Sequence, residues 1–421
     1  MRCGKIATMK RSLYEAAFKA KVTQDKAKVA PKATNAEMTM AQIASKFGGH
    51  PHQVCQWRDQ LVSTLPELFP DEERSRKRIW IRRKFSMSKF SLDTLQQRVF
   101  PFVQAEDPDI ILGAAFGEDV ALTRVGGDIL ASHVDPIVGA IGHIGWLAVH
   151  VACNDLAASG IPPRWVQLLV LVPRLEDEEL LENIMRDASH AASEINVAII
   201  GGHTGYSSGI SRPLVAVTAL GTAAGRKPVR TGGARVGDHV LVTKGVALEG
   251  TAILAQDFAD VARKLGLSDD ELEEGRRVMA AVSVVPEGLA LAQYGATAMH
   301  DVTRGGLLET LLEIALLSHV GIEVDYAKLP IPTIVARFAE AFHFDPLKMI
   351  SSGTLALTLP PEHLEAARAA LTALGVPLAD VGQVTAGKGV YVRRDGQVMH
   401  YTEIRCEEDE LARLWALYPR G

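Results

Sequence analysis

The sequence predicts an α/β (α+β) protein in which two mixed domains follow a small helical segment. With 421 residues, the chain is longer than one hydrophobic core ordinarily accommodates. From Met87 onward, short apolar runs of strand length alternate with longer segments of helical period. A glycine-rich stretch at residues 232–238 separates two such blocks. We therefore divide the chain into a segment 1–70, a basic linker 71–86, an N-terminal domain 87–235 and a C-terminal domain 236–421.

Charge is distributed unevenly along the chain. Residues 1–86 contain 18 Lys and Arg against 8 Asp and Glu, a net charge of +10, whereas the remainder carries a net charge of −15. Such an asymmetry is typical of parts that have different partners. The basic cluster at 71–86 can contact phosphate backbones, although a solvated linker is the commoner explanation.

The chain shows no sign of a membrane or secreted protein. No apolar run is long enough to cross a bilayer, and the first residues lack the apolar core of a secretion signal. The four cysteines form no C-x-x-C pair: Cys3, Cys55, Cys153 and Cys406. We therefore expect a cytoplasmic protein with no disulfide framework.

Residues 38–62 have the pattern of a helix-turn-helix. A first helix ends at Gly48-Gly49, and Pro51 opens a second helix that buries Val54, Trp57 and Leu61. With Glu15–Val22 and Ile43–Phe47, this stretch resembles the short first open reading frame of insertion-sequence transposases. Three interpretations stay open: an insertion-element remnant fused upstream, a wrongly assigned start codon with Met87 as the true start, or a DNA-binding module attached to an ATP-sensing one. Nucleic acid could bind only through residues 38–62.

The strand and helix patterns beyond Met87 are short and alternate. In the N-terminal domain they predict strands at 128–134, 165–172, 197–200 and 214–220, with helices at 144–158 and 176–192. In the C-terminal domain they predict strands at 239–243, 322–324, 355–359 and 389–392, with helices at 248–255, 270–284, 288–294, 306–317 and 361–374. Both blocks therefore fit sheets covered by helices.

Three aspartates in the N-terminal domain are candidate metal ligands. Asp119 follows a glycine turn, Asp135 follows a predicted strand, and Asp155 interrupts an apolar helix. A lone buried carboxylate is unfavourable unless it is paired or binds a metal. Mg²⁺ prefers such carboxylates together with phosphate oxygens. His203, after Gly201-Gly202, could contact a phosphate or carry a proton.

The most informative stretch is the segment from His300 to Leu307. Gly305 and Gly306 precede an apolar helix, so bare backbone N–H groups and the helix dipole favour an anion there. Asp301, Thr303 and Arg304 add a carboxylate, a hydroxyl and a cation beside it. A plain tight turn is an equally good explanation of the two glycines.

A second strand-to-helix turn, residues 243–252, carries Lys244 and Glu249. Lys244 could meet a phosphate, and Glu249 could serve as a base or bind substrate. A surface lysine and a glutamate favoured by the helix dipole explain the pair about as well.

Six motifs in order along residues 87–421 resemble the superfamily of aminoimidazole ribonucleotide (AIR) synthase, with the hydrogenase maturation factor HypE as the most similar branch. Selenophosphate synthetase and thiamine-monophosphate kinase belong to the same superfamily. The motifs are Gly117–Ala121, Asn154–Ala157, Gly237–Val242, Val285–Ala292, Met299–Leu307 and Ile350–Leu355.

The resemblance implies a two-domain AIR synthase-like fold in which the N-terminal α/β domain joins that of a second copy in a dimeric barrel. The protein would thus be a homodimer with an ATP cleft lined by the acidic motifs. Mg²⁺ would bind with the triphosphate, and a phosphoryl group would activate an oxygen of a small-molecule or protein-tail acceptor. Catalysis would come from positioning and charge neutralisation.

The residues are assigned to three roles on this interpretation. Mg²⁺ would be held by Asp119, Asp135 and Asp155. The nucleotide would be bound by Asn154, Thr204, Lys244, Thr303, Gly305 and Gly306. The catalytic groups would be His203, Glu249, Asp301 and Arg304.

Two departures from the family pattern bear on the substrate. HypE proteins end in a Pro-Arg-x-Cys tail, whereas this sequence ends Tyr418-Pro419-Arg420-Gly421. Without that thiol we expect no carbamoyl dehydration on the chain's own tail. Gly202-His203-Thr204 is more similar to selenophosphate synthetase, yet the reactive Cys expected near that enzyme's start is absent from residues 100–117. A kinase resembling selenophosphate synthetase or thiamine-monophosphate kinase is therefore the alternative.

Overall fold

The computed structural model describes residues 90, 92–103, 106–137, 142–404 and 409–418. The chain divides into two compact units, Met1–Lys84 and Phe85–Gly421, and every described residue belongs to the second. The helix-turn-helix interpretation of residues 38–62, the linker 71–86, and Cys3, Cys55 and Cys406 lie outside the described residues. None of the described helices is long and apolar enough to cross a bilayer.

The N-terminal half forms a six-stranded sheet with two long helices. Its elements are helix α1 (Leu92–Arg98), strands β1 (Ile110–Leu112), β2 (Ala121–Val125) and β3 (Asp128–Ile137), helix α2 (Ile144–Ala158), strand β4 (Trp165–Val172), helix α3 (Glu178–Glu194), and strands β5 (Ala198–Tyr206) and β6 (Leu214–Thr222). The strands lie in the order β1-β2-β3-β6-β4-β5. Neighbours are antiparallel except β4 and β5, which run parallel across the α3 crossover.

The two faces of this sheet differ because its strands alternate in polarity and burial. On the inner face Val215, Val217 and Ala219 of β6 are fully buried in the core that includes α2. The alternate residues point outward, where Val134 and Leu169 are 59% and 37% exposed. An uncovered apolar face is unusual for a sheet of this size.

Helix α2 is buried on every side, which its nearly continuous apolar sequence predicts. It lies between the six-stranded sheet and a helix of the C-terminal half, Val285–Gln293. A Cβ at Gly288 of that helix would lie 2.6 Å from the carbonyl oxygen of Ala157. The glycine therefore permits the two helices to touch through their backbones.

The C-terminal half forms a seven-stranded sheet with helices packed against it. Its elements are β7 (His239–Thr243), α4 (Leu248–Asp257), α5 (Ala259–Lys264), α6 (Asp269–Arg277), α7 (Val285–Gln293), β8 (Ala298–Asp301), α8 (Gly306–Ser318), β9 (Gly321–Asp325), α9 (Thr333–Phe342), β10 (Leu355–Leu359), α10 (Leu364–Ala373), β11 (Leu378–Thr385), β12 (Gly389–Arg394), β13 (Gln397–Tyr401) and α11 (Glu410–Leu417). The strands lie in the order β13-β12-β9-β11-β7-β10-β8.

Two of the predicted elements differ in the structure. The strand predicted at 197–200 is too short, because Gly201 to Gly205 continue strand β5 beside β4. A Cβ at Gly202 would lie 2.0 Å from the carbonyl oxygen of Leu168, so glycine is needed for the strands to approach. The single helix predicted at 270–284 is also wrong, since α6 ends at Arg277 and one 3₁₀ turn follows.

Candidate functional site

A cavity of about 360 Å³ is lined by residues from both halves of the chain. The N-terminal half contributes the loop before β2, the second half of β3 and the last turns of α2. The C-terminal half contributes β8 and the first turns of α8. Aromatic and aliphatic side chains from Phe90 to Phe100 form a further part of the wall. The polar lining residues are Glu118, Asp119, His133, Asp135, Asp155, His300, Thr303, Glu309 and Glu313.

The centre of the site is a histidine held among buried carboxylates. His300 Nδ1 lies 2.9 Å from Asp119 Oδ1 and 3.7 Å from Asp301 Oδ1. Its other ring nitrogen, Nε2, lies 2.9 Å from Glu313 Oε2. Asp119, His300 and Asp301 offer three ligand atoms within 4.8 Å of one another. Such spacing suits a single bound cation.

Burial disfavours ionised carboxylates in this cluster. It raises the pKa of Asp119 from 3.8 to about 7, although the charge of His300 acts in the opposite direction. Burial, together with the negative charges of Asp301 and Asp119, also raises the pKa of Asp155 well above 3.8. Burial lowers the pKa of His300, but the neighbouring carboxylates, led by Asp119, outweigh burial and raise it well above 6.5. A proton on His300 therefore balances part of the negative charge.

Several carboxylate oxygens here lack the partners that buried polar atoms normally have. Within the described ranges, neither side-chain oxygen of Asp301 accepts a hydrogen bond, although this residue is fully buried. The same holds for Asp155 Oδ2, which lies 3.5 Å from His133 Nε2. Buried polar atoms without partners point to a ligand or ion that binds there. These residues therefore fit a divalent cation.

The start of α8 beside the cavity depends on its two glycines. Gly305 and Gly306 have φ of 82° and 67°, the left-handed region that favours glycine. A Cβ at Gly306 would lie 2.5 Å from the carbonyl oxygen of Leu347. Thr303 lines the cavity, and Arg304 Nη1 lies 3.4 Å from Asp409 Oδ2. The two glycines thus form a tight turn at the start of the helix, and anion binding there stays a prediction.

Asn154 and Lys244 both contact the segment between α6 and α7. Asn154 Nδ2 donates to Val282 O and Asn154 Oδ1 accepts from the Val284 N–H, each at 2.8 Å. Lys244 Nζ lies 2.6 Å from Glu287 Oε1 and donates to the carbonyl of Ala281 at 2.9 Å. Burial lowers the pKa of Lys244. The structure gives both residues structural partners, and their contact with nucleotide stays a prediction.

Three other predicted site residues lie apart from the cavity lining. Glu249 is buried in α4, where its Oε2 accepts from the Ser352 N–H at 3.3 Å. His203 and Thr204 lie on β5, an edge strand three positions from β3. At ~4.8 Å per strand, β5 is roughly 14 Å from β3. The structure therefore does not bring His203 and Thr204 together with the carboxylates of the same chain, whereas Glu249 lies near enough to Arg304 and Asp301 for their charges to act on its pKa.

Sequence reasoning did not assign a role to five polar residues of the cavity lining, which are Glu118, His133, His300, Glu309 and Glu313. His300 belongs to the motif that was singled out, and only the fold places Asp119 beside it. Glu313 is two turns into α8, and its i+7 spacing from Gly306 would have placed it on the helix face at the glycines. His133 is two residues before Asp135, so both point to one side of β3.

Residues 117–223 match the model of the N-terminal domain of AIR synthase related proteins, and residues 235–395 match the model of their C-terminal domain. A thiamine-monophosphate kinase of Halobacterium salinarum is 31% identical over 291 residues, which is 68% of this chain and 91% of that protein. The chain belongs to the AIR synthase-related family. All six sequence motifs lie within the two matched ranges, 117–223 and 235–395.

Other relatives support the same family. A carbamoyl dehydratase HypE of Rhizobium leguminosarum bv. viciae is 29% identical over 267 residues, 62% of this chain and 73% of that protein. The structure of a hydrogenase maturation protein HypE in complex with ATP superimposes with a TM-score of 0.58 at 24% identity, covering 76% of this chain and 97% of that one. The AIR synthase-like fold expected from the motifs is thereby confirmed.

We predict that Asn154→Ala destabilises the protein by roughly 1–3 kcal/mol, because it leaves the buried carbonyl of Val282 and N–H of Val284 unpaired. Chemical denaturation measures the change. Asn183→Ala is the matched control, since Asn183 is exposed on α3 and a change below about 0.5 kcal/mol is expected there. Equal stability of both variants would show that Asn154 does not hold this segment.

Asp155→Asn should stabilise the metal-free protein at pH 8. Folding raises the pKa of Asp155 above 3.8, so the folded state holds its proton longer and stability falls as pH rises from about 4. The amide of the variant cannot ionise, so its stability does not fall in this way as pH rises. Its free energy of unfolding should exceed that of wild type by about 1 kcal/mol or more at pH 8, and the two should be equal near pH 4. Thermal unfolding in EDTA at both pH values measures the difference. A variant less stable than wild type at pH 8 would contradict this expectation.

Proposed function

We propose that the protein is an ATP-dependent enzyme that activates an oxygen of its acceptor by phosphoryl transfer. The observation that carries this proposal is the set of buried, unpartnered carboxylate oxygens of Asp155 and Asp301 beside the glycine-started helix α8. Negative groups on one wall and helix-end N–H groups on the other suit a cation and the phosphates that it accompanies.

The carboxylates of Asp119, Asp135 and Asp155 would hold Mg²⁺ on this proposal. Bound with ATP, the ion would supply charge neutralisation along the triphosphate. The fit rests on donor chemistry, since Asp119 and Asp155 are buried oxygen donors whose pKa values are raised by burial first and by neighbouring negative charge second. Asp135 is half-buried on the same side of β3 as His133.

The opposite wall would bind phosphate oxygens. The N–H groups at the start of α8 would donate hydrogen bonds to the phosphate oxygens, with Thr303 and Arg304 beside them. Asp301 would orient the reacting groups from the end of β8. Three other residues would act indirectly, by holding in place the helices and strands that carry the metal-binding and phosphate-binding groups. They are Lys244, Glu249 and Asn154.

A smaller cavity adjoins the first and provides room for an acceptor. It measures about 210 Å³, and Glu309 and Ile404 line both cavities. Gly305, Lys348 and Tyr401 line the smaller one, which therefore extends from the glycine turn before α8 to a cationic side chain. Relatives named as a thiamine-monophosphate kinase and as carbamoyl dehydratases support phosphoryl transfer to an oxygen, on a small molecule or a protein tail.

Asp119→Asn should weaken Mg-ATP binding by tenfold or more, because it removes one oxygen donor of the cation and a charged group. Isothermal titration calorimetry with a non-hydrolysable ATP analogue, with and without Mg²⁺, measures the effect. Asp109→Asn is the matched control, since Asp109 is an exposed carboxylate just before β1. Wild-type protein that binds no nucleotide in the presence of Mg²⁺ would overturn the proposed function.

The protein would act as a homodimer through the outer face of the six-stranded sheet. That face carries exposed apolar side chains on three strands, Val134, Leu169 and Ile200. A second copy with the same face would cover them and would bring β5, with His203 and Thr204, into a shared barrel. This arrangement would give the two β5 residues access to the partner's site.

Leu169→Glu should convert the dimer to a monomer, because two glutamates would be buried at the two-fold interface without partners. Light scattering coupled to size exclusion measures the mass. Leu175→Glu, an exposed leucine outside the strands, is the control and should leave the mass unchanged. A wild-type mass of one chain at micromolar concentration would contradict the assembly.

A further inference from the structure

We propose that Glu309 is the general base that removes the proton from the acceptor's hydroxyl group during phosphoryl transfer. The inference rests on the proposed function and assigns a further catalytic group to the same site. It depends on where one buried carboxylate lies relative to the two cavities and to the start of α8.

The first observation is that Glu309 lies between the two cavities. Among the residues that the structure describes, only Glu309 and Ile404 line both of them. Ile404 is apolar, so Glu309 is the member of this pair that can accept a proton. On the proposed function, ATP occupies the larger cavity and the acceptor occupies the smaller one. Glu309 therefore lies where the phosphoryl group passes from one molecule to the other.

The second observation is the position of the carboxylate on its own helix. Glu309 belongs to the first turn of α8, and only 8% of its surface is exposed. A Cβ at Gly305 would lie 2.0 Å from Glu309 Oε2, so the side chain folds back toward the start of the helix. This helix end is also the wall proposed to bind phosphate oxygens. A phosphoryl group bound there would have the carboxylate of Glu309 beside it.

The step that follows from this position is a single displacement at phosphorus. The acceptor's hydroxyl oxygen forms a bond to the γ-phosphorus, the bond from that phosphorus to the bridging oxygen breaks, and ADP leaves with the electron pair. The hydroxyl proton passes to a carboxylate oxygen of Glu309, which returns it to water after the products leave. Because the positive end of the helix dipole favours negative charge, Glu309 is placed where the ionised form that accepts a proton is stabilised.

The rival explanation is that Glu309 only stabilises the helix start. A glutamate in a first turn is favourable for that reason alone, because its charge complements the helix dipole. The two explanations differ in what removal of the carboxylate does. A stabilising residue changes the free energy of unfolding, whereas a general base changes kcat without changing the binding of nucleotide.

Hydrolysis of Mg-ATP by the full-length protein, with water as the acceptor, tests the assignment. Glu309→Gln should lower kcat about 100-fold or more, because a positioned general base typically contributes 10²–10⁴-fold. The affinity for a non-hydrolysable ATP analogue should change less than about threefold, since only the transition state loses an interaction. Glu274→Gln, an exposed glutamate of α6, is the matched control and should leave kcat unchanged.

Chemical rescue keeps the test independent of a folding defect in Glu309→Gln. Glu309→Ala leaves space at the position of the carboxylate, and added formate is small enough to enter that space. Formate should raise kcat of this variant about tenfold or more by acting as the missing base, and sodium chloride at the same ionic strength should not. A variant that binds the analogue but responds equally to formate and chloride would contradict the role of Glu309.

Failure of the proposed function has a different result. Wild-type protein that binds no analogue in the presence of Mg²⁺ would overturn the proposed function, and the role of Glu309 with it. If wild type and Glu309→Gln both bind the analogue and hydrolyse ATP at equal rates, at any level, only the role of Glu309 is overturned.

Discussion

The negative charge buried around His300 is the constraint on which the rest of the site depends. Asp119, Asp155 and Asp301 are each at least nine-tenths buried, so their charges lose most of the solvation that water provides. Without a bound cation, protonation is the main compensation, as the raised pKa values of Asp119 and His300 indicate. Such an arrangement lowers the stability of the ligand-free protein. It is typical of functional sites, where ligand binding makes use of the same charges.

Part of the site could be predicted from sequence because its signals are local. Asp155 stood out as a carboxylate within an apolar helix, and Gly305-Gly306 stood out as a break before another helix. Helix α2 and strands β4 and β7 have the predicted bounds, since their apolar runs end at clear turn residues. In each case the interpretation depended on residues that are only a few positions away in the sequence.

What could not be predicted depends on contacts between distant segments. The sequence offers Lys244 as a phosphate ligand, but it does not predict that the fold places Glu287, 43 positions later, 2.6 Å from its ammonium group. Asn154 looked like a cavity residue, yet its amide contacts backbone about 130 positions away. Strand β5 extends through Gly201 and Gly202 because it pairs with β4. No local sequence pattern predicts that pairing. Local propensity is a weak guide where tertiary pairing decides.

The burial of α2 also bears on how the site chooses its ion. A helix enclosed by a sheet on one side and by α7 at backbone contact on the other has little freedom to shift. Asp155 is carried on this helix, so its backbone position is fixed and its carboxylate can adapt to a small or large ion only by rotation of the side chain. The packing of apolar residues far from the cavity would therefore contribute to discrimination by ionic radius, and a core substitution could change it without touching a ligand.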